Sequence, residues 1–344
     1  MQRLLADFYL KILIFILIQI TACYLVIKNK SIFKFYEYHQ IQKTHHDYTP
    51  RIGGLIIFLV FYLCNFTVNN FYLNKDLIIF VSGLIIVLIG TKEDLFSNVK
   101  AKNRLLTILG ASVIVILPLE YLPIINIPII EKIFEYKFIS IIFFSLCLTI
   151  IANGINIIDG LNGHASLTLI SSALCIIYLD FSIIKINNHI VLYLIFLFFF
   201  FLFNFPIGKI FLGDAGAYWL GWFLAIYVIN FFAANKDINN WYAVVIFFYP
   251  AMEVLFSFTR KVFLGRSPFK PDLQHIHLKM YHYIKSKNAN PLATLFLMPL
   301  SISPPMYLFL NIHYGFSIFL IIFLQIIIYF LYFIILPNPK EQFI

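Results

Sequence analysis

The sequence predicts an all-α polytopic membrane protein. Hydrophobic residues make up 61% of the 344 residues, mean hydropathy is +0.89, and only 12% of the residues are charged. Soluble domains are far less apolar than this. About eleven apolar runs are each long enough to cross a hydrocarbon core of about 30 Å. The runs are 9–28, 52–70, 77–91, 104–119, 138–153, 164–182, 189–204, 216–234, 241–258, 291–310 and 315–336. We therefore expect one helical bundle that spans residues 1–344 as a single domain.

The basic residues predict how this bundle is oriented. If successive loops alternate between the two sides, eighteen of the 25 lysines and arginines fall on one side. Because basic loops stay inside, that side is predicted to be cytoplasmic, with the N-terminus outside and the C-terminus inside. Residues 259–290 then form a cytoplasmic loop. Positive-inside topology and anionic lipid or substrate phosphates explain the net charge of +9, so no nucleic-acid partner is expected.

Two further segments carry expectations of their own. The run Tyr9–Ile27 is too long for the core of a secretory signal and is predicted to be a retained first helix. The outer segment Glu120–Lys137 contains prolines and an isoleucine-rich run, which predicts a short β-hairpin at the membrane interface.

Five polar segments separate the apolar runs, and all of them fall on the predicted cytoplasmic side. They are Lys43–Gly54, Lys92–Arg104, Asn153–Gly163, Phe211–Gly216 and Arg260–His282. An aspartate at the bilayer centre costs about 2.5–3.5 kcal/mol, so Asp214 is expected at a helix end that faces water, a metal or a substrate.

The residue types in these segments suit phosphate chemistry. Carboxylate and amide oxygens are hard ligands that favour Mg²⁺, with Mn²⁺ as an alternative, bridging a diphosphate. Basic side chains and glycine N–H groups neutralise and contact phosphate oxygens. The combination predicts a site in which a water-soluble phosphate donor meets a lipid phosphate.

Each segment taken alone has a simpler interpretation. Glu93 and Asp94 are compatible with a solvated helix end, His45 and His46 with a surface loop, and Asn156 with a bridge between helices. The five segments share one side of the membrane, which argues against five separate coincidences. A secondary transporter is the rival class, but we find no internal repeat, and the polar residues cluster at one face instead of mid-span.

Three motifs carry a resemblance to a known family. They are Asn-x-x-Asn-x-x-Asp-Gly at 153–160, Leu-Gly-Asp-Ala-Gly at 212–216, and Ser-Pro-Phe-x-Pro-Asp-x-Gln-His-Ile-His at 267–277. The chain resembles the polyprenyl-phosphate N-acetylhexosamine-1-phosphate transferases from Thr49 to His277. The run from Pro250 to His277 is most similar to the O-antigen-initiating branch. The alternative, the peptidoglycan phospho-MurNAc-pentapeptide transferase, would show three adjacent histidines.

The resemblance implies a Mg²⁺-dependent enzyme of the bacterial inner membrane, compatible with a homodimer. It would transfer N-acetylhexosamine-1-phosphate, with GlcNAc-1-phosphate as the default, from a UDP-N-acetylhexosamine to undecaprenyl phosphate and release UMP. Direct attack of the lipid phosphate is preferred to a covalent aspartyl-phosphate route, because Asp214 is expected to bind the metal.

The resemblance also implies a role for each matching residue. Asn156 and Asp214 would hold the metal, and Glu93 and Asp94 would position the lipid phosphate or remove its proton. The remaining roles are phosphate binding by Lys102 and Arg104, with Lys100 as an alternative because of a one-residue spacing difference, a uridine contact by Asp159, Gly160 and Asn162, and sugar-diphosphate binding by Arg260, His275 and His277.

The chain departs from the family pattern at four positions. Glu93 and Glu253 stand where aspartate is usual, Asn162 stands where the bacterial branch has aspartate, and Leu278 stands where a further histidine is seen.

Overall fold

The computed structural model describes residues 2–30, 49–68, 75–125, 128–181 and 188–339. Within these residues the chain forms fifteen α-helices. They are α1 (Gln2–Lys28), α2 (Gly53–Val68), α3 (Lys75–Phe96), α4 (Ala101–Ile116), α5 (Pro128–Phe134), α6 (Lys137–Ile158), α7 (His164–Phe181), α8 (Asn188–Asn204), α9 (Gly213–Ala234), α10 (Tyr242–Phe263), α11 (Ile276–Tyr283), α12 (Ala289–Phe296), α13 (Met298–Ser301), α14 (Ser303–Tyr314) and α15 (Ile318–Ile335). The helical fold class is as predicted.

Five of the described helices are long and apolar enough to cross a membrane. These spans are Asp7–Lys28, Lys137–Ile158, Gly213–Ala234, Tyr242–Phe263 and Ile318–Ile335. Three shorter helices, Gly53–Val68, His164–Leu179 and His189–Asn204, are apolar as well. The chain is therefore a multi-pass membrane protein, and the predicted count of about eleven crossings stays a prediction.

Ten of the eleven predicted apolar runs each coincide with one helix. The exception is the run 291–310, which is divided among α12, α13 and α14. Pro299 and Pro304 lie in the first turns of α13 and α14. Proline is accepted in a first turn but interrupts a helix interior, so this proline-rich run is broken into short helices.

The predicted β-hairpin within Glu120–Lys137 is wrong for the part that the structure describes. The short helix α5 begins at Pro128 and runs to Phe134. Proline at the first helical position has the φ angle that a helix needs, and this outweighed the isoleucine-rich composition. Segment 126–127 lies outside the described residues.

Helix α9 forms the centre of the bundle and is buried along most of its length. Small residues let its neighbours approach closely, as is typical of helix packing in membranes. The Cα atom of Gly54 in α2 lies against that of Gly216, and Gly90 in α3 lies against the backbone of Ala215. The backbone at the N-terminal end of α9 is therefore fixed by two neighbouring helices.

The polar segments occupy helix ends that meet around this N-terminal end of α9. The helices α3 and α6 end there, and α4 and α9 begin there. Several helices run further into the polar segments than the apolar runs predicted, because backbone hydrogen bonding does not depend on side-chain polarity. Residues 43–48 of the first polar segment, including His45 and His46, lie outside the described residues.

Candidate active site

The backbone around Asp214 is held by an extended segment before α2. Phe211 N–H donates to the Pro50 carbonyl, and the N–H groups of Gly53 and Gly54 donate to the Phe211 and Leu212 carbonyls. Gly213 has a φ of 72°, in the left-handed region that favours glycine. The chain therefore turns sharply into α9 and places Asp214 in the first helical turn.

Asp94 caps the start of α9 from the end of α3. Its Oδ1 accepts the N–H of Asp214 at 2.9 Å, and its Oδ2 accepts the N–H of Ala215 at 3.1 Å. Asp94 is only 6% exposed. A carboxylate on the free N–H groups of a first turn is a stabilising helix cap, so Asp94 fixes the position of Asp214.

Asp214 links three helices through its two carboxylate oxygens. Its Oδ2 accepts from Arg104 Nη1 in α4, and its Oδ1 accepts from Asn156 Nδ2 in α6 at 3.1 Å. Arg104 Nη1 also lies 3.2 Å from Glu93 Oε1. We call Glu93, Asp94, Arg104, Asn156 and Asp214 the carboxylate cluster.

The charges in and around this cluster interact strongly. Burial, and after it the carboxylate of Asp214, raise the pKa of Asp94 above its usual range, against the opposing effect of Arg51. Desolvation also raises the pKa of Asp159, which Arg51 lowers and the carboxylates of Asp214 and Asp94 raise further. Asp94, Asp159 and Asp214 thus share one electrostatic environment with an excess of negative charge.

A second group of residues lies at the end of α10 and in the segment after it. Glu253 Oε2 lies 2.8 Å from His275 Nδ1, and Arg260 Nη2 donates to Asp272 Oδ2 at 3.0 Å. The rings of His275 and His277 stack with their centroids 5.8 Å apart. We call Glu253, Arg260, Asp272, His275 and His277 the histidine cluster.

Asp272 is the anchor for the basic side chains of this cluster. Lys261 Nζ lies 3.6 Å from Asp272 Oδ2, and the N–H of Gln274 donates to Asp272 Oδ1. Burial opposes ionisation of Asp272, but His275, Lys261 and Arg260 together lower its pKa below the usual range. Asp272 is therefore a carboxylate that holds two cationic side chains in place.

The two clusters meet where His277 contacts the turn after α6. A Cβ added to Gly160 would lie 2.8 Å from His277 Nε2. Burial, followed by His275 and His164, lowers the pKa of His277 well below its usual value, so its ring is neutral. No hydrogen-bond partner of the buried His277 Nδ1 is found in the described part of the chain.

Two of the predicted site residues stand apart from the clusters. Asn162 is 3% exposed, donates from its side chain to the Pro206 carbonyl and receives a bond from Thr294 at its own carbonyl. It fastens the turn after α6 to the loop after α8 and to α12. Lys102 is exposed on α4, about half a turn away from the face that carries Arg104.

Sequence reasoning assigned no role to three residues that the structure places at the site. Arg51 is close enough to interact with Asp94, Asp159 and Asp214, and Glu253 and Asp272 hold the histidine cluster. The available signals were the place of Arg51 in the first polar segment, of Asp272 in the motif at 267–277, and of Glu253 at a position where aspartate is usual, and none of these specifies contacts.

The carboxylate cluster has the donor types that Mg²⁺ prefers. Asp214 and Asn156 supply carboxylate and amide oxygens within an excess of negative charge. Among the described residues, no group of three or more histidine, cysteine, aspartate or glutamate side chains is arranged to hold a metal. Mg²⁺ is commonly held by one or two carboxylates together with water and substrate phosphates, so this donor set fits it.

An apolar groove of about 770 Å³ lies between α5, α6, α9, α10 and α15, and on α9 it extends toward Asp214 only as far as Ala225, eleven residues away. On α10 it extends to Leu255, five residues before Arg260, and on α6 to Ile151, five residues before Asn156. At a rise of about 1.5 Å per residue, the groove ends within about 8 Å along each helix of those residues.

The fold and site define a multi-pass membrane protein with a polar, phosphate-compatible site at one end of its helices. Residues 77–232 match the family described as Glycosyl transferase family 4. The family resemblance is thereby confirmed over those residues, which are similar to this family.

Named relatives agree with this resemblance. The chain is 26% identical over 245 residues to the probable undecaprenyl-phosphate N-acetylglucosaminyl 1-phosphate transferase of Bacillus subtilis (strain 168), which covers 70% of this chain and 67% of the relative. It is 27% identical over 241 residues to the undecaprenyl-phosphate alpha-N-acetylglucosaminyl 1-phosphate transferase of Thermotoga maritima, covering 69% of each. It is also 31% identical over 192 residues to a putative UDP-N-acetylglucosamine–dolichyl-phosphate N-acetylglucosaminephosphotransferase of Sulfolobus acidocaldarius, covering 53% of this chain and 58% of the relative.

Proposed function

We propose that this protein transfers GlcNAc-1-phosphate from UDP-GlcNAc to undecaprenyl phosphate and releases UMP at the cytoplasmic face of a bacterial membrane. The observation that carries the proposal is the carboxylate cluster, in which Asp94, Asp214 and Asn156 from three helices converge at the buried start of α9. The named relatives transfer this group to polyprenyl phosphates. The motif resemblance indicates O-antigen synthesis as the pathway that uses the product, and we include this pathway in the proposal.

In the proposed reaction an oxygen of the lipid phosphate attacks the β-phosphorus of the UDP-sugar. The new phosphorus–oxygen bond forms as the bond to UMP breaks, and UMP leaves with the electron pair. Asn156 and Asp214 would hold Mg²⁺, which neutralises phosphate charge when bound. Catalysis then consists mainly of positioning and charge stabilisation.

The contacts of the individual side chains suggest their roles. Both carboxylate oxygens of Asp94 accept backbone N–H groups, so we assign Asp94 to positioning Asp214. Arg104, between Glu93 and Asp214, is placed to bind a phosphate oxygen. The histidine cluster would bind the sugar and diphosphate, with Arg260 oriented by Asp272.

The apolar groove supports a lipid acceptor. It runs along α6 and α10, the two helices that end at the carboxylate and histidine clusters. A polyprenyl chain lying in this groove would bring its phosphate to the ends of both helices. A transporter is disfavoured because the carboxylate cluster lies at helix ends, whereas a transport site is expected near mid-span. Of the residues in the two clusters, Glu253 lies in the middle of a helix.

The direct test is UMP release by the purified protein in detergent. Release is expected from UDP-GlcNAc with undecaprenyl phosphate and Mg²⁺, and it should stop when the lipid or the metal is omitted. The same assay with other UDP-N-acetylhexosamines identifies the sugar. The absence of UMP release with all of them would refute the proposal, and UMP–UDP-GlcNAc isotope exchange without lipid would favour a covalent route instead.

Asp214→Asn is expected to lower kcat by at least about 10²–10³-fold, because it removes a preorganised charge from the site. The matched control is Asp237→Asn, since Asp237 is exposed beyond the opposite end of α9. Near-normal turnover of Asp214→Asn would contradict the assignment of Asp214.

A further inference from the structure

Glu253 is a charged side chain buried on α10 with only 1% exposure. Its Oε2 lies 2.8 Å from His275 Nδ1, and its Oε1 accepts the N–H of Ile276 at 3.3 Å. Ile276 is the first residue of α11, and His275 precedes it at the N-cap position without capping it by its own side chain. Glu253 therefore binds the histidine ring and the start of the helix that follows it.

This arrangement fixes which nitrogen of His275 carries hydrogen. A carboxylate oxygen only accepts hydrogen bonds, so Nδ1 must be the donor. The opposite nitrogen, Nε2, lies 3.7 Å from Asp272 Oδ1, beyond hydrogen-bond distance, on the side that carries Arg260. Glu253 thus sets both the tautomer of His275 and the direction of Nε2, which lies toward Asp272.

The position of α11 itself does not depend on Glu253 alone. Lys279, on the same helix and 2% exposed, donates to the Phe333 carbonyl in the last turn of α15. Its ammonium also lies 4.0 Å from the centroid of the Phe333 ring. Because this contact holds α11 from another side, changing Glu253 is expected to release the His275 ring without detaching the helix.

We propose that Glu253 is a positioning residue that holds His275 with its hydrogen on Nδ1, so that Nε2 is directed at the sugar-diphosphate substrate. This inference rests on the proposed function. With hydrogen on Nδ1, Nε2 is an acceptor, so we assign to His275 a hydrogen bond from a hydroxyl or amide N–H group of the N-acetylhexosamine, which positions the β-phosphorus for attack. Glu253 has the role of orienting that acceptor. Partners that orient metal-binding histidines commonly contribute about 10–100-fold, and we expect a contribution of that size from Glu253.

The first test separates turnover from binding. Glu253→Gln keeps the size of the side chain and removes its charge. We expect kcat for UMP release to fall about 10–100-fold while KM for UDP-GlcNAc stays within about threefold. Glu253→Asp, which keeps the acceptor on a shorter side chain, should recover at least part of kcat. The matched control is Ser172→Ala, which removes a buried hydrogen bond to the Ile246 carbonyl of α10 and should leave kcat unchanged.

The second test shows whether Glu253 acts through His275. In a His275→Gln background, where the amide can still donate to the carboxylate, Glu253→Gln should change the residual kcat by less than about twofold. If Glu253→Gln lowers kcat in the His275→Gln background by the same factor as in the native protein, Glu253 does not act through His275 and has only a structural role. If Glu253→Gln does not fold, the same comparison is made with Glu253→Asp.

The third test does not require turnover. The ¹⁵N shifts of His275, assigned by their absence in His275→Gln, should show hydrogen on Nδ1 in the native protein and a changed tautomer distribution in Glu253→Gln. An unchanged tautomer would overturn the inference. Native protein that releases no UMP but shows the Nδ1–H tautomer would refute the proposed function and leave the orientation of His275 by Glu253 standing. If the native protein releases UMP and the Glu253→Gln variant is fully active, the proposed function stands and the role of Glu253 is refuted.

Discussion

The two halves of the site are built in different ways. In the carboxylate cluster, the position of Asp214 follows from backbone contacts at the start of α9, where Gly54 and Gly90 allow α2 and α3 to lie against it. In the histidine cluster, the position of His275 follows from the hydrogen bond between its side chain and Glu253, which lies 22 residues earlier in the chain. The first depends on helix packing, and the second depends on individual charged pairs.

This difference predicts how each half responds to substitution. Backbone atoms at a helix crossing cannot move separately, so an added methyl group there displaces whole helices. A side-chain pair can be weakened without changing the fold, at a cost set by the group that is left unpaired. We therefore expect all-or-none effects around the carboxylate cluster and graded effects around the histidine cluster.

The largest effect is expected for Gly54→Ala. The added Cβ would lie 2.0 Å from the Gly216 Cα, so α2 and α9 must separate. We expect loss of folded protein, measured as a monodisperse peak after detergent extraction. The control is Gly110→Ala in the interior of α4, where the added Cβ has no neighbour within 4 Å and should be neutral or slightly stabilising. Normal yield of Gly54→Ala would contradict the close crossing.

The sequence predicted the helical class and most helices because apolar runs of membrane length have few alternatives in lipid. It also singled out Asp214 and Asn156, which lie in hydrogen-bond contact, since a carboxylate and amides between apolar runs are costly without a purpose; their metal-binding role stays a prediction. It did not predict that Asp94 would cap α9 or that Glu253 would hold His275, because both contacts join residues far apart in the chain. Tertiary geometry decides such pairs, and the spacing of motifs does not contain it.

A smaller but clear effect is expected for Asp272→Asn in the histidine cluster. The change leaves Arg260 and Lys261 without their shared carboxylate, so their side chains lose a fixed position. We expect kcat/KM for UDP-GlcNAc to fall about 10–100-fold, with folded protein still recovered. The control is Lys270→Gln, since the Lys270 side chain is exposed and Lys261 contacts only its carbonyl. Unchanged kcat/KM in Asp272→Asn would show that the contacts of Asp272 with Arg260 and Lys261 do not affect use of the substrate.

The histidine cluster should also make stability depend on pH. The pKa of His277 is lowered well below about 6.5, its unfolded value, so below that pH the unfolded chain binds a proton that the folded chain excludes. The contribution of the neutral His277 ring to the free energy of unfolding is fully present above about pH 6.5. It is lost as the pH falls, by at most about 1.4 kcal/mol per pH unit. Melting temperatures between pH 7.5 and 5.5 should fall less in His277→Asn than in the native protein. Parallel curves would contradict a buried neutral ring.

The smallest effect is expected at Gly160, where the two clusters meet. A Cβ there would approach only the end of the His277 side chain, at 2.8 Å from Nε2, so the ring can shift by a small rotation. We expect Gly160→Ala to fold and to raise KM for UDP-GlcNAc by about two- to fivefold, because the expected cost of a slightly displaced side chain is below about 1 kcal/mol. Gly154, six residues earlier in the same motif, provides the contrast.

At Gly154 the added Cβ would lie 2.3 Å from the Pro250 carbonyl oxygen, which belongs to the backbone of α10. Gly154→Ala should therefore behave like Gly54→Ala and yield little folded protein, although both Gly154 and Gly160 belong to one short motif. We would measure the two variants side by side by detergent extraction and by UMP release. The comparison distinguishes a site where two backbones are in contact, at Gly154, from a site where the backbone contacts a side chain, at Gly160. If both variants fold equally well, the division of the site into a packed half and a side-chain half is wrong, because the same added methyl group would then be tolerated in both settings.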